Sequence, residues 1–243
     1  MTISYGGEPV LEDATLAVED GQFVSLVGPS GSGKSSLLRA AIGLQPLLAG
    51  TVSSEVARAD VGMLFQDDAL LPWKSARENV ALGLTLRGTP RALALERADR
   101  WLERVGLKGF GGRFPRHLSG GQRKRVAIAQ VLVREPKLLL MDEPFASLDA
   151  IVRARVVQDV AALVERERIS VLLVTHDLEE AISLSDRIYL LSRGPRARVS
   201  RDYVTALPRP RDPVRARMHA AFAPLYAKIW EDLSRETDHE VPE

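Results

Sequence analysis

The chain has 243 residues, 33 Lys and Arg against 32 Asp and Glu, and no cysteine, which excludes disulfides, thiolate zinc sites and catalytic thiols. This length suits one large domain, or one domain with an appendage, and a net charge of +1 gives no global case for nucleic-acid binding. No apolar run nears the ~18 residues of a membrane span, and residues 1–6 lack the basic and apolar regions of a signal peptide; the expected setting is cytoplasmic, or a cytoplasmic membrane face reached through a partner.

Short apolar runs alternate with helical patterns, which predicts an α/β domain with a largely parallel sheet. Residues 23–27 read as a buried strand ending at Gly28, and residues 35–42 as a helix. Between 75 and 135 the texture changes to Ala/Leu/Arg/Glu stretches such as 91–105, broken at Gly106, around 109–112 and at Pro115. This predicts a helical insertion between strands. Residues 138–141, 171–174 and 187–191 read as further strands, the last closed by the turn Arg193-Gly194-Pro195. Beyond Pro195, proline and arginine accumulate, which predicts an extended linker, then an amphipathic helix near 216–233 and a polar tail. The arginines of 193–217 leave two uses open, contact with anionic lipid headgroups or a solvated linker. The expected organisation is a main domain over 1–195, with core halves 1–75 and 136–195 around a helical subdomain 76–135, and an extension 196–243.

Gly28-Pro29-Ser30-Gly31-Ser32-Gly33-Lys34-Ser35 fits G-x-x-x-x-G-K-[ST] between an apolar strand and a helix, the context a P-loop needs. Its glycines let successive amides turn inward as an anion nest, and the helix beginning near Lys34 adds its positive dipole end. Gly28, Ser30, Gly31, Ser32, Gly33, Lys34, Ser35 and Ser36 are therefore candidate residues for binding a nucleoside triphosphate. Lys34 should reach the β- and γ-phosphates, and the Ser35 hydroxyl should ligate Mg²⁺.

The apolar run 138–141 ends in Asp142 and Glu143. An acid at the carboxyl end of a buried parallel strand lies on the ligand-binding edge of such sheets. Asp142 is thus placed to hold the metal, and Glu143 to polarise an attacking water as general base. Alone, the pair reads equally as a solvated Asp-Glu after a strand; beside a P-loop, the functional reading dominates.

Leu118-Ser119-Gly120-Gly121-Gln122 precedes a helix-like stretch, 123–133. Ser119 can cap it, and the glycines leave backbone amides uncovered, a second helix N-terminus suited to a phosphate. Here the sequence resembles the ATP-binding cassette (ABC) ATPases, whose signature is LSGGQ, from Tyr5 to about Gly194 and with the motifs in the family's order. The resemblance implies a RecA-like parallel sheet with an inserted helical subdomain, and ATP with Mg²⁺ as ligands. It implies that Tyr5 stacks on adenine, that Gln66 touches Mg²⁺ and the attacking water, and that His176 contacts the γ-phosphate. Asp149, in Ser147-Leu148-Asp149, resembles the D-loop that runs across a dimer interface. The implied metal set is Ser35, Gln66 and Asp142. The signature residues Ser119, Gly120, Gly121 and Gln122 would close over the P-loop nucleotide of a partner subunit, so a chain with one copy of each is expected to act as a homodimer. His117, His219 and His239 match no motif and receive no role. Only residues 1–4 precede Tyr5 where the family usually has a strand, so either the start codon is misplaced or the edge strand is shortened. Lys124 stands where the family more often has Gln, and is expected on a solvated helix face with little consequence.

The chain lacks the sustained heptads, zinc-binding cysteines and basic excess of the DNA-repair and chromosome-organising branches. After Gln66 comes Asp67-Asp68-Ala69-Leu70-Leu71-Pro72-Trp73, whose Leu-Leu-Pro-Trp resembles the ATPases of nitrate, sulfonate and taurine importers. That cluster suits a groove for a membrane partner's helix; equally, Trp73 packs between the two subdomains. The resemblance implies the ATP-hydrolysing subunit of an importer of a small anionic or nitrogen/sulfur-containing solute. It would dock on two transmembrane permease subunits, fed by a substrate-binding protein, at the inner face of the cell membrane, with no nucleic-acid partner. The alternative is a soluble ABC ATPase acting on nucleic acid or another assembly. A non-hydrolysing scaffold is disfavoured by Glu143 and His176.

Overall fold

The computed structural model describes residues 1–238. The strands are β1 (Ile3–Tyr5), β2 (Glu8–Leu11), β3 (Phe23–Val27), β4 (Val61–Leu64), β5 (Leu138–Asp142), β6 (Ser170–Val174), β7 (Arg187–Leu191) and β8 (Val199–Val204). The helices are α1 (Lys34–Ala41), α2 (Ala76–Leu86), α3 (Arg91–Arg104), α4 (Gly120–Leu132), α5 (Ala150–Glu167), α6 (Leu178–Leu184), α7 (Pro213–Ala216) and α8 (Phe222–Asp238).

Strands β4-β5-β6-β3-β7-β8 form a six-stranded sheet in that order, parallel except for β8. Its central strands are apolar on both sides because both sides are covered. Leu139, Met141, Val171 and Leu173 join the core shared with α5 and the helical insertion. Leu140, Leu172 and Val174 join the opposite core, with Leu37 and Leu38 of α1 and with Ile3 and Leu11 of the β1–β2 hairpin. The α/β class and the inserted helices are thus as the sequence pattern predicts. The short segment before Tyr5 forms β1, which pairs antiparallel with β2.

The predicted linker is corrected. Residues 199–204 pair antiparallel with β7, from Arg187 opposite Val204 to Leu191 opposite Val199. The prolines that favoured a linker, Pro195, Pro208, Pro210 and Pro213, flank this run rather than interrupt it. Inside it, Val199, Tyr203 and Val204 have the branched and aromatic side chains that strands favour, and Tyr203 is buried. The C-terminal helix also starts later than predicted. The His219 ring accepts from the Ala221 amide, closing a turn ahead of Phe222, so this histidine has a structural role. His239 lies outside the described residues.

Nor are the arginines of this region a free basic run. Arg217 pairs with Glu179 at 2.5 Å, while Arg209 and Arg211 both grip Asp186, at 2.5 and 2.7 Å. Asp186 also accepts from the Phe23 amide at 2.8 Å, which ties the tail to the start of the central strand. Burial opposes ionisation of Asp186, but the bonds from Arg209, the Phe23 amide and Arg211 outweigh it and hold the carboxyl below its usual range. A depressed acid stabilises the fold fully above its ordinary value near pH 3.9, and that contribution is lost as pH falls through the lowered folded value. Asp186→Asn would leave the Arg211 guanidinium, 7% exposed, without its carboxylate. The expected cost is about 3 kcal/mol, read as a melting temperature lower by about 6–12 °C near neutral pH. The deficit against the parent protein should shrink below about pH 4, and a thermal scan series across pH checks both.

Candidate functional site

Parallel pairing brings four separate segments to one sheet edge. Leu26 sits opposite Val174, Val174 opposite Asp142, and Met141 opposite Leu64. The residues just beyond these strands therefore lie in a row: the loop after Leu64 that carries Gln66, then Asp142 and Glu143, then His176, then Gly28 and the P-loop.

The P-loop leads from β3 into α1 through Gly33, which has φ 87° as the residue before the helix. A Cβ there would be strained and would meet Val10 and Leu11 at 2.9 Å, so glycine alone permits the hairpin to pack on the loop. This contact brings the Tyr5 hydroxyl to 3.2 Å from Ser36 Oγ, with the Tyr5 side chain left exposed at the rim. Ser32 is buried, while Ser30 and Gly31 are exposed. Lys34 is 8% exposed, and its ammonium donates to the Gly28 and Pro29 carbonyls at 2.8 Å each. Burial lowers its pKa from the ordinary lysine value, against the opposing charges of Glu143 and Asp142.

Ser35 Oγ donates to Asp142 Oδ1 at 2.9 Å. Burial is the main influence on Asp142 and pushes its carboxyl up, the Ser35 bond opposing and the Glu143 charge adding. Glu143 turns away from the strand with φ 43°, its amide held by the Val174 carbonyl at 2.9 Å. Its Oε2 lies 2.9 Å from His176 Nδ1, so the carboxylate and the histidine form one exposed-edge pair. His176 is placed by its neighbours: Asp177 caps α6, and Thr175 donates to Glu180 Oε2 at 3.0 Å. Burial, helped by Asp177, pushes the Glu180 carboxyl up to about 7.

At the signature, Ser119 and Gln122 form a reciprocal capping box: Ser119 Oγ accepts from the Gln122 amide, and Gln122 Oε1 accepts from the Ser119 amide at 3.0 Å. The helix starts at Gly120, earlier than the predicted 123. A Cβ on Gly121 would run into Val152 Cγ1, so the signature turn is in close contact with the first turn of α5. Asp149 caps that helix through the Val152 amide at 3.0 Å. Arg153 then joins the Leu148 carbonyl, at 3.0 Å, to Asp177, at 3.6 Å. The signature residues share no hydrogen bond with the P-loop among the described residues.

The family described as ABC transporter matches residues 11–146. The aliphatic sulfonates import ATP-binding protein SsuB 1 of Paracoccus denitrificans (strain Pd 1222) is 42% identical over 236 residues, 97% of this chain and 92% of that protein. The chain belongs to the ABC transporter family. This ABC ATPase is also 43% identical, over 79% of its length and 77% of the other's, to the taurine import ATP-binding protein TauB of Escherichia coli O157:H7. Among solved structures it resembles the ATP-binding cassette MJ0796, a dimer in a post-hydrolysis state bound to ADP and Pi. That likeness has TM-score 0.72 and 31% identity, and covers 85% of this chain and 96% of the other. It is an ATP-binding, ATP-hydrolysing subunit of the importer branch, and the nucleic-acid alternative is set aside.

One expectation about this ABC ATPase is overturned outright. Lys124 is not on a solvated face; its side chain is 0% exposed, donating to the Gln66 carbonyl at 2.9 Å and pairing with Asp68 at 3.0 Å. Helical spacing held the clue, since Gly121, Lys124, Ile128 and Leu132 share one buried stripe of α4. Asn79, fully buried, is a second residue that motif reading missed. Its amide accepts from the Leu71 amide at 2.7 Å and donates to the carbonyls of Leu71, Lys74 and Ser75. Between these anchors Trp73 is 70% exposed, so it does not pack between the subdomains.

Proposed function

We propose that this subunit powers import of small organosulfur solutes of the sulfonate or taurine class, as a homodimer beneath two transmembrane permease subunits fed by a substrate-binding protein. It would sit peripherally on the inner face of the membrane. The observation that carries the mechanism is the row of P-loop, Asp142, Glu143, His176 and Gln66 along one sheet edge, with the signature amides of the same chain elsewhere. The substrate class rests on the two import relatives.

The P-loop amides, the α1 N-terminus and Lys34 would hold the triphosphate, and Tyr5 would offer its ring to the adenine. Ser35 and Asp142 fit Mg²⁺: a hydroxyl and a mostly buried carboxylate converge at 2.9 Å, and this ion takes few protein oxygens beside substrate phosphates and water. When bound, it neutralises charge on the phosphoryl oxygens. Glu143 takes the proton of the attacking water, His176 orients the Glu143 carboxylate, and Gln66 orients the water. Gly120 and Gly121 present helix N-terminal amides to the nucleotide on the partner subunit, so ATP closes the dimer and hydrolysis releases it.

Trp73, standing between two anchored turns, would insert into the permease interface. Trp73→Ala is expected to cut co-purification with the permease subunits at least tenfold while moving the melting temperature by less than about 2 °C, since so exposed a side chain contributes little to the fold. Undiminished co-purification would remove Trp73 from the interface.

A further inference from the structure

Lys124 sits on the second turn of α4, out of contact with water. Its ammonium meets the Gln66 carbonyl and Asp68 Oδ1, while Asp68 Oδ2 lies 3.3 Å from Arg123 Nε. Arg123 in turn donates to the Leu118 carbonyl at 2.9 Å. The carboxylate two residues past Gln66 is therefore gripped by consecutive cations of the helix that begins at the signature glycines. A buried lysine must be paired, and an ion pair at such depth adds little net stability over apolar packing. What it can fix is position.

We propose that Lys124 is a positioning residue that locks the Gln66 segment to the signature helix. This rests on the roles proposed above for Gln66 and for Gly120 and Gly121. The lock makes one rigid body of the group that faces this subunit's own nucleotide and the amides that face its partner's. Asn79 secures the far end of the same loop, so displacement at Trp73 reaches Gln66 and the signature together.

Two charge-neutral double variants separate positioning from mere packing. Lys124→Gln with Asp68→Asn removes both charges and keeps a donor toward the Gln66 carbonyl; Lys124→Met with Asp68→Asn removes the donor as well. In the Met/Asn protein kcat should fall roughly ten- to hundredfold, as expected for an ångström-scale misplacement, with the KM and Kd for ATP within about threefold of the parent. The Gln/Asn protein should keep kcat within about threefold. In the nucleotide-free proteins, backbone order parameters at 66–69 should stay near the ~0.85 of rigid chain in the parent and Gln/Asn forms, and drop below about 0.6 in Met/Asn. Equal turnover and equal order parameters in the two variants overturn the proposal, whatever their melting temperatures. A parent that fails to bind ATP through Lys34 defeats the functional reading instead; the order parameters, measured without nucleotide, still decide the lock.

Discussion

Glu143→Gln lowers the steady-state rate of ATP hydrolysis by about 10²–10⁴-fold, the range lost with a positioned general base. Glutamine has the shape of glutamate and keeps an oxygen toward His176, whose Nδ1 lies 2.9 Å from the Glu143 carboxylate. It cannot accept the proton of an attacking water. The φ of 43° at this position makes the same demand on either side chain, so the fold should be indifferent to the exchange. With chemistry stopped and binding intact, the ATP-bound dimer accumulates. Light scattering after size exclusion should then show a species of twice the 26.7 kDa chain mass with ATP, and a single chain without it. A variant that retains more than a tenth of the parent rate would remove Glu143 from the role of base.

Lys34→Ala weakens ATP binding by about 3 kcal/mol, roughly a hundredfold in Kd, as measured by calorimetric titration. The ammonium is mostly buried, and its pKa is lowered by the loss of water around it. In such surroundings a charge-assisted bond to phosphate is stronger than it would be in solvent. Lys34→Met retains the methylene stem and should bind as weakly as Lys34→Ala, which separates the charge from its packing. A Kd within threefold of the parent for either variant would contradict the assignment of the P-loop lysine.

The local motifs of this protein are more legible in its sequence than its packing is. The P-loop and the paired carboxylates are local patterns, each bounded by a strand, and parallel register carries them to the same edge without further information. The signature cap could be read from Ser119 and its spacing to Gln122. Lys124 is expected at the surface because a charged residue defaults there, and its burial depends on Asp68, distant in sequence. Strand β8 escapes the sequence pattern for a similar reason: only Val199, Tyr203 and Val204 favour a strand, around Ser200, Arg201 and Asp202 and between flanking prolines, so composition averaged over 195–213 hides it. The domain boundary expected near 195 accordingly falls inside the sheet, one connection before its last strand.

That last strand also decides what the sheet shows to other strands at this edge. β7 is apolar and buried along nearly all its length, and without a neighbour it would present a row of unpaired amides and carbonyls to any passing strand. β8 covers that row and replaces it with an edge displaying Arg201 and Asp202, the latter ion-paired across to Arg187. Charges at an edge discourage pairing between copies. A chain shortened to the catalytic motifs alone is therefore expected to expose the β7 edge as a pairing surface, rather than to yield a smaller enzyme.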